Sequence, residues 1–344
     1  MSTLKIIENK KDWTSYLNRM YYGDFYFTYD NHKISVKEPN KFLLFAYEEA
    51  EFTLILPLII RPIPDADGFF DATSVYGYAG PMSSHKDVPT NVLNNFQKEL
   101  NKKFLKYNLV AVFSRLHPYF ENEKYIYQLG DILNLSETVY IDLKIKPEEQ
   151  YRQYRKGVKS DIKALIREGH TVFEDSELKY ISEFIEMYNE NMRRVNADSM
   201  YFFSEEYYRD FFSSDEIGAK LFFVKKDDEI AAGSIINFSK SVIQYHLSAT
   251  KTKYLKNSPI RLILNHIRLE YTAKEQEIFH LGGGVGSAKD SLFNFKAGFS
   301  KSRLNFKIWK YIVNKEKYDE LCKKEGVEET ESYFPAYRAN NKIL

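Results

Sequence analysis

"KLFFVKKDDEIAAGSIINFSKSVIQYHLSAT", residues 220–250, joins three short runs rich in aliphatic and aromatic residues. Asp227 and Asp228 separate the first two, which read as a hairpin, and the run carrying Tyr245 and His246 reads as a third strand. A helix follows, with Ser258 placed to cap it and Pro259 at its first position. The short strand "IFHLGGG", residues 278–284, closes the unit.

The same order occurs earlier in the chain. Residues 41–63 read as a hairpin of two apolar runs around the polar turn Glu48-Glu49-Ala50-Glu51. A tyrosine-rich strand or loop, "DATSVYGYAGP" (71–81), comes next. Residues 89–107 then carry Val92, Leu93, Phe96, Leu100 and Phe104 at helical spacing, and "LVAVFSRLHP" (109–118) follows as a buried strand. Tyr76 and Tyr245 lie 169 residues apart, Pro89 and Pro259 170, and Phe113 and His280 167. This near-constant offset predicts a duplicated α/β unit with mixed sheets, divided as residues 1–145 and 146–344.

Between the repeats lies "PEEQYRQYRKGVKSDIKALIREG" (147–169), which reads as one helix that Gly169 ends. Tyr151, Tyr154, Val158, Ile162 and Leu165 share one face, and Arg152, Arg155, Lys156, Lys159, Lys163 and Arg167 another. That basic face suits either plain solvation or contact with phosphate. A second helical stretch, "ISEFIEMYNENMRRVN" (181–196), follows.

Composition narrows the function. The 344 residues carry a formal charge of +1, which argues against bulk attachment to nucleic acid or an anionic membrane and leaves room only for local basic sites. The single cysteine, Cys322, builds no disulfide framework and points to a reducing compartment, the cytoplasm. The most apolar segment, Phe52 to Ile60, is short and broken by Pro57, so neither a membrane span nor a secretion signal is expected. The seven histidines lack metal-binding spacing, and no metal site is expected.

The glycines of "HLGGGVGSAKDSLFNFKAGFSK" (280–301) form neither a Walker loop, which needs Gly-Lys-Ser/Thr at its end, nor the Gly-x-Gly-x-x-Gly dinucleotide turn.

Taken together, the duplicated unit, "DATSVYGYAGP", the basic linker helix, "MYNENMRRVNADSMYFF" (187–203) and the 280–301 stretch resemble the FemABX-type acyltransferases. The resemblance covers roughly residues 40 to 320. It implies two tandem GNAT-like domains and transfer of an acyl or aminoacyl group to an amine of a cell-envelope precursor, a peptidoglycan peptide or an amino sugar. The donor implied is acyl-CoA or aminoacyl-tRNA, with no tightly bound cofactor. The partners implied are a nucleotide-linked or lipid-linked envelope precursor and, where the donor is aminoacyl-tRNA, charged tRNA. An acetyl-CoA-dependent N-acetyltransferase of a small amine, or a non-catalytic sugar-nucleotide-binding scaffold, are the alternatives. The Gly-rich pyrophosphate loop of single-domain GNAT enzymes is missing from "YLKNSPIRL" (254–262) and "SSHKDVPTN" (83–91), which weighs against a conventional CoA site.

The resemblance also marks residues. Lys296 matches the family's Phe-Lys lysine, expected to hold the donor or steady developing negative charge. Gly282, Gly283 and Gly284 are expected to serve the acyl group. Tyr76, Gly77, Tyr78 and Arg115, with His117 beside them, match the acceptor-binding segment. Lys159 stands where the family often has arginine, and Arg193 or Arg194 matches a further basic position. His246 or Asp290 is available as general base, although Tyr245 and His246 cannot both face substrate from a regular strand. Asp290 also reads as a helix cap.

Overall fold

The computed structural model describes residues 3–327 and 333–340. They fall into two compact units, one running to Leu135 and resuming at Asn305, the other spanning Ser136–Leu304. The first unit starts with β1 (Thr3–Ile7), α1 (Lys10–Asn18) and α2 (Tyr29–Ser35). The expected hairpin is β2 (Lys41–Glu49) and β3 (Phe52–Pro62). Then come β4 (Phe70–Thr73), the two-residue β5 (Met82–Ser83), α3 (Thr90–Lys106) and β6 (Leu109–Arg115).

Strand β7 (Asp131–Asp142) leads into the second unit, which continues with α4 (Pro147–Gln153), α5 (Lys156–Arg167), β8 (His170–Glu174), α6 (Ile181–Arg194) and α7 (Glu205–Ser213). Its sheet is built on β9 (Ala219–Lys226), β10 (Glu229–Phe238) and β11 (Val242–Thr250). Helix α8 (Ile260–Tyr271), β12 (Ile278–Gly282) and α9 (Ser291–Lys296) follow, before β13 (Arg303–Ile312) and α10 (Lys315–Glu325).

The duplication is a repeated topology. The first unit orders its strands β1-β2-β3-β4-β6-β13 and the second β8-β9-β10-β11-β12-β7. In each, four strands pair antiparallel. A helical crossover, α3 or α8, then returns the chain to a parallel neighbour, and a last strand pairs antiparallel. The closing strands are exchanged: β7, which follows β6 in sequence, closes the second unit, and β13, which follows β12, closes the first. The boundary expected at 145/146 is corrected here: β13 completes the free edge of β6, with Ile308 opposite Arg115 and Ile312 opposite Ala111, so the chain from Asn305 on belongs to the first unit.

Periodicity placed the core. Val92, Leu93, Phe96, Leu100 and Phe104 of α3 are all buried, against Phe45, Tyr47 and Leu56 of the hairpin. In the second unit Ile260, Ile263, Leu264 and Ile267 of α8 join Val158, Ile162 and Leu165 of α5 in one cluster.

Two local readings change. The basic segment is two helices rather than one, broken at Tyr154 and Arg155, whose ψ angles of 135° and 147° are extended. The break turns the Tyr154 ring inward, edge-on to Phe299 at 5.2 Å and under the Arg268 guanidinium at 5.3 Å, and frees the Arg155 N–H to donate to the Gly298 carbonyl at 2.8 Å. Ser258 is not the cap of α8. It sits at φ 49°, its N–H committed to the preceding turn through the Tyr254 carbonyl, and the helix begins at Ile260 behind Pro259.

Packing in the first unit makes a pH prediction. His32 is fully buried against Trp13, its Nδ1 on the Thr28 carbonyl, and burial pushes its pKa down to about 4. Its stabilising contribution is therefore whole above pH ~6.5, the unfolded value, and is lost as pH falls from there through about 4. By pH 5 the loss should reach roughly 2 kcal/mol. Urea unfolding of the protein and of His32→Gln at pH 7.5 and pH 5 checks it; an unchanged pH slope in the variant would count against it.

Candidate active site

The site begins at a seam in the second sheet. Strands β11 and β12 pair in parallel over Val242–Ile278, Ile243–Phe279 and Gln244–His280, and the ladder stops there. Beyond it β11 stays with β10 and β12 with β7. The cause is a β-bulge. Ile236 faces Tyr245 while Ile235 faces Leu247, so His246 is an extra residue in β11. A bulge bends its strand and re-aims side chains. It brings the Tyr245 hydroxyl onto Ser248 Oγ, a contact between residues three apart that regular alternation would send to opposite faces.

The glycine stretch runs along this seam. Gly282 ends β12 at φ 80°, a left-handed conformation that only glycine adopts at little cost. At Gly284 a Cβ would come within 2.3 Å of an Asp290 carboxylate oxygen and 2.1 Å of the Ala288 carbonyl oxygen. Asp290 caps α9 as expected, one oxygen accepting from the Phe293 N–H at 2.8 Å and the other from the Val285 N–H at 3.1 Å. Both carboxylate oxygens thus serve the backbone.

Lys296 is the last residue of α9 and is only 8 % exposed. It is no surface lysine. Its Nζ donates to the Gly283 carbonyl at 2.7 Å and lies 6.0 Å from the centre of the Tyr245 ring. Burial lowers its pKa to about 8, against the opposing pull of the Asp290 carboxylate. A buried ammonium that stays charged at neutral pH yet is close to titrating is a strong hydrogen-bond donor in a weakly screening environment.

The structure brings Lys296, Gly283, Gly284, Asp290 and Tyr245 together and adds Ser248, which sequence reasoning missed because only the bulge aligns it with Tyr245. His246 goes elsewhere. Its ring stacks on Phe211 at 5.1 Å and its Nε2 lies 3.3 Å from the Tyr207 hydroxyl, under α7. Burial pushes its pKa down to about 4, leaving it neutral but too weak a base to take a proton readily from an ammonium.

Lys159, on α5, lies over the Tyr151 ring at 5.1 Å with its Nζ 3.3 Å from the Arg152 carbonyl. Arg152, Arg155, Lys156, Lys163 and Arg167 are exposed along these two helices, and Arg193 is exposed at the end of α6. A cavity of about 360 Å³ in this unit, between Phe173, Tyr180, Lys225 and Glu229, shares no residue with the Lys296 cluster.

The other candidates lie in the first unit. Tyr76 is 55 % exposed, with the Arg115 guanidinium 5.0 Å over its ring. Gly77, at φ 123°, leaves space for the Tyr26 ring, which a Cβ there would meet at 2.1 Å. Tyr78 sits edge-on to Tyr26, His117 and Phe306. His117 is a core residue, its Nε2 on buried Asp24 at 2.9 Å and its ring stacked on Phe120 at 3.7 Å, so it is not available to acceptor phosphates.

With this geometry in hand, residues 152–296 match the family model described as an acetyltransferase (GNAT) domain. The chain carries a GNAT acyltransferase domain. A crystal structure of FemX superposes with a TM-score of 0.69 at 12 % identity, over 92 % of this chain and 99 % of that one. The structure of L-PGS from Bacillus licheniformis does so with a TM-score of 0.53 at 14 % identity, over 90 % and 93 %. No curated protein matches by sequence. The fold is therefore FemX-like. The GNAT domain spans the whole seam from the basic helices to Lys296, so the Lys296 cluster closes the matched segment. Among the described residues no helix is long and apolar enough to cross a membrane.

Proposed function

We propose that the protein transfers an acyl or aminoacyl group to an amine of a cell-envelope precursor, at the seam beside Lys296. The observation that carries this reading is the buried ammonium held at 2.7 Å on the Gly283 carbonyl inside a GNAT domain. In the reaction the neutral amine nitrogen attacks the acyl carbonyl carbon, a C–N bond forms, and negative charge builds on the oxygen. Lys296 donates a hydrogen bond to that oxygen. The ester or thioester bond then breaks and the leaving oxygen or sulfur takes up a proton, while the amine releases one.

The exposed basic residues of α4 and α5 favour a polyanionic donor, charged tRNA, over a CoA thioester. Tyr76 and Arg115 supply a flat ring and a forked cation of the kind that bind a base or sugar and its phosphates, and are assigned to the nucleotide-linked acceptor. Such donors place the reaction in the cytoplasm.

Thermal stabilisation by CoA, acetyl-CoA, UDP-linked amino sugars, a UDP-linked muropeptide and charged tRNA tests the assignment. A shift of several degrees with the muropeptide or charged tRNA, and none with CoA, is the expected result. Stabilisation by acetyl-CoA with a small amine as the only acceptor would make this a metabolite acetyltransferase. No response to any donor, with full binding of sugar nucleotide, would make it a scaffold.

A further inference from the structure

Asp290 stands out because a helix cap needs one carboxylate oxygen and this residue uses two. Oδ1 accepts from the Phe293 N–H, starting α9, while Oδ2 reaches back to the Val285 N–H on the far side of the glycine loop. Gly284 is what lets the carboxylate in, since any Cβ at that position would overlap it. The clasp therefore fixes two things at once: the start of the helix whose last residue is Lys296, and the turn whose Gly283 carbonyl holds the Lys296 ammonium.

Around Lys296 the groups facing it are Asp290 from the loop, the Tyr245 ring from β11 and the Gly283 carbonyl from the end of β12. Lys289 and Arg303, each near the Phe293 ring, are engaged on their own account. Lys289 pairs with Glu137, and Arg303 donates to the Ser300 and Ser302 carbonyls. Among these groups Asp290 is the one that supplies negative charge to the ammonium.

We infer that Asp290 is the positioning residue of this site, clasping the glycine loop to α9 so that Lys296 is held on the Gly283 carbonyl and kept charged. Each of its oxygens accepts from a backbone N–H, so the role assigned to it is holding the loop rather than taking a proton. This rests on the acyl-transfer reading for its consequence in catalysis, but its physical content can be measured without turnover.

The experiment is a titration of Lys296 by NMR in the full chain labelled at lysine Cε, assigned with Lys296→Met, for the wild type, Asp290→Asn and Asp290→Ser. Asparagine and serine both cap helices, so α9 and the melting temperature should be retained, and neither carries charge. The expected result is a Lys296 pKa lower by roughly one unit in both variants. In transfer assays kcat should fall at least tenfold with KM little changed, and the alkaline limb of the pH profile should move down with the titration. An unchanged Lys296 titration in a folded Asp290→Asn protein overturns the inference, whatever the activity. A shifted titration in a protein that transfers nothing to any acceptor leaves the clasp standing and instead removes the proposed reaction.

Discussion

Lys296→Met should lower acyl transfer by a factor on the order of 10² to 10³, the usual loss when one donor to a developing oxyanion is removed. The same change should leave the fold as stable as before or raise its stability at neutral pH. Holding an ammonium in a site that depresses its pKa from 10.5 to about 8 costs roughly 3 kcal/mol, partly offset by its bond to the Gly283 carbonyl. The wild type should recover stability as pH rises from about 8 towards 10.5, where the unfolded chain still binds the proton and the native state does not. Turnover should move the other way, falling above pH ~8 as the donor is lost. Lys296→Arg, charged throughout, should remove that alkaline limb. Kinetics as a function of pH, together with chemical denaturation of the same preparations, check both halves. A methionine variant that loses stability and activity in proportion would make Lys296 a packing residue and end the assignment.

The second large effect concerns the first unit. Asp71 of β4 is fully buried and holds three partners: Arg61 Nε at 2.7 Å, Arg338 Nε at 2.5 Å and the Tyr337 hydroxyl at 3.2 Å. Arg338 also donates to the Pro62 carbonyl at 2.7 Å. One carboxylate therefore anchors the segment around residues 336–338 to the strand pair β3–β4. Asp71→Ala strands two mostly buried guanidinium groups without their counter-charge and should cost about 3–5 kcal/mol. Asp71→Asn, which can still accept a hydrogen bond, should fall between. Denaturant unfolding measures the loss, and hydrogen exchange locates it: protection should drop in β3, β4 and α10 while the second unit keeps its own. A loss under 1 kcal/mol, or one spread evenly over both units, would contradict this account.

The two sites differ in how they announce themselves. Lys296 was visible in sequence as a lysine between two phenylalanines beside a glycine run, and the resemblance to the FemABX-type enzymes marked it. Nothing in "DATSVYGYAGP" distinguishes Asp71 from an ordinary polar residue at a strand start. Its partners come from ten residues upstream and from more than 260 downstream, and such a separation leaves no local pattern.

By itself the sequence determined the hairpins, the two crossover helices and the buried faces of α3 and α5, because alternation and helical spacing are set by neighbours a few residues apart. It also determined the repeat, through the near-constant offset between matching residues, and Asp290 as a helix cap. Tertiary structure alone decided the rest. It split the basic helix at Tyr154, whose ring has a core position to fill, and gave the last strand of the first unit to residues beyond 304. It placed one extra residue in β11, which joined Tyr245 to Ser248 three residues on. Each of these depends on which distant backbone edge is free to pair and which buried space is open to a ring, and neither is written in any short window of the chain.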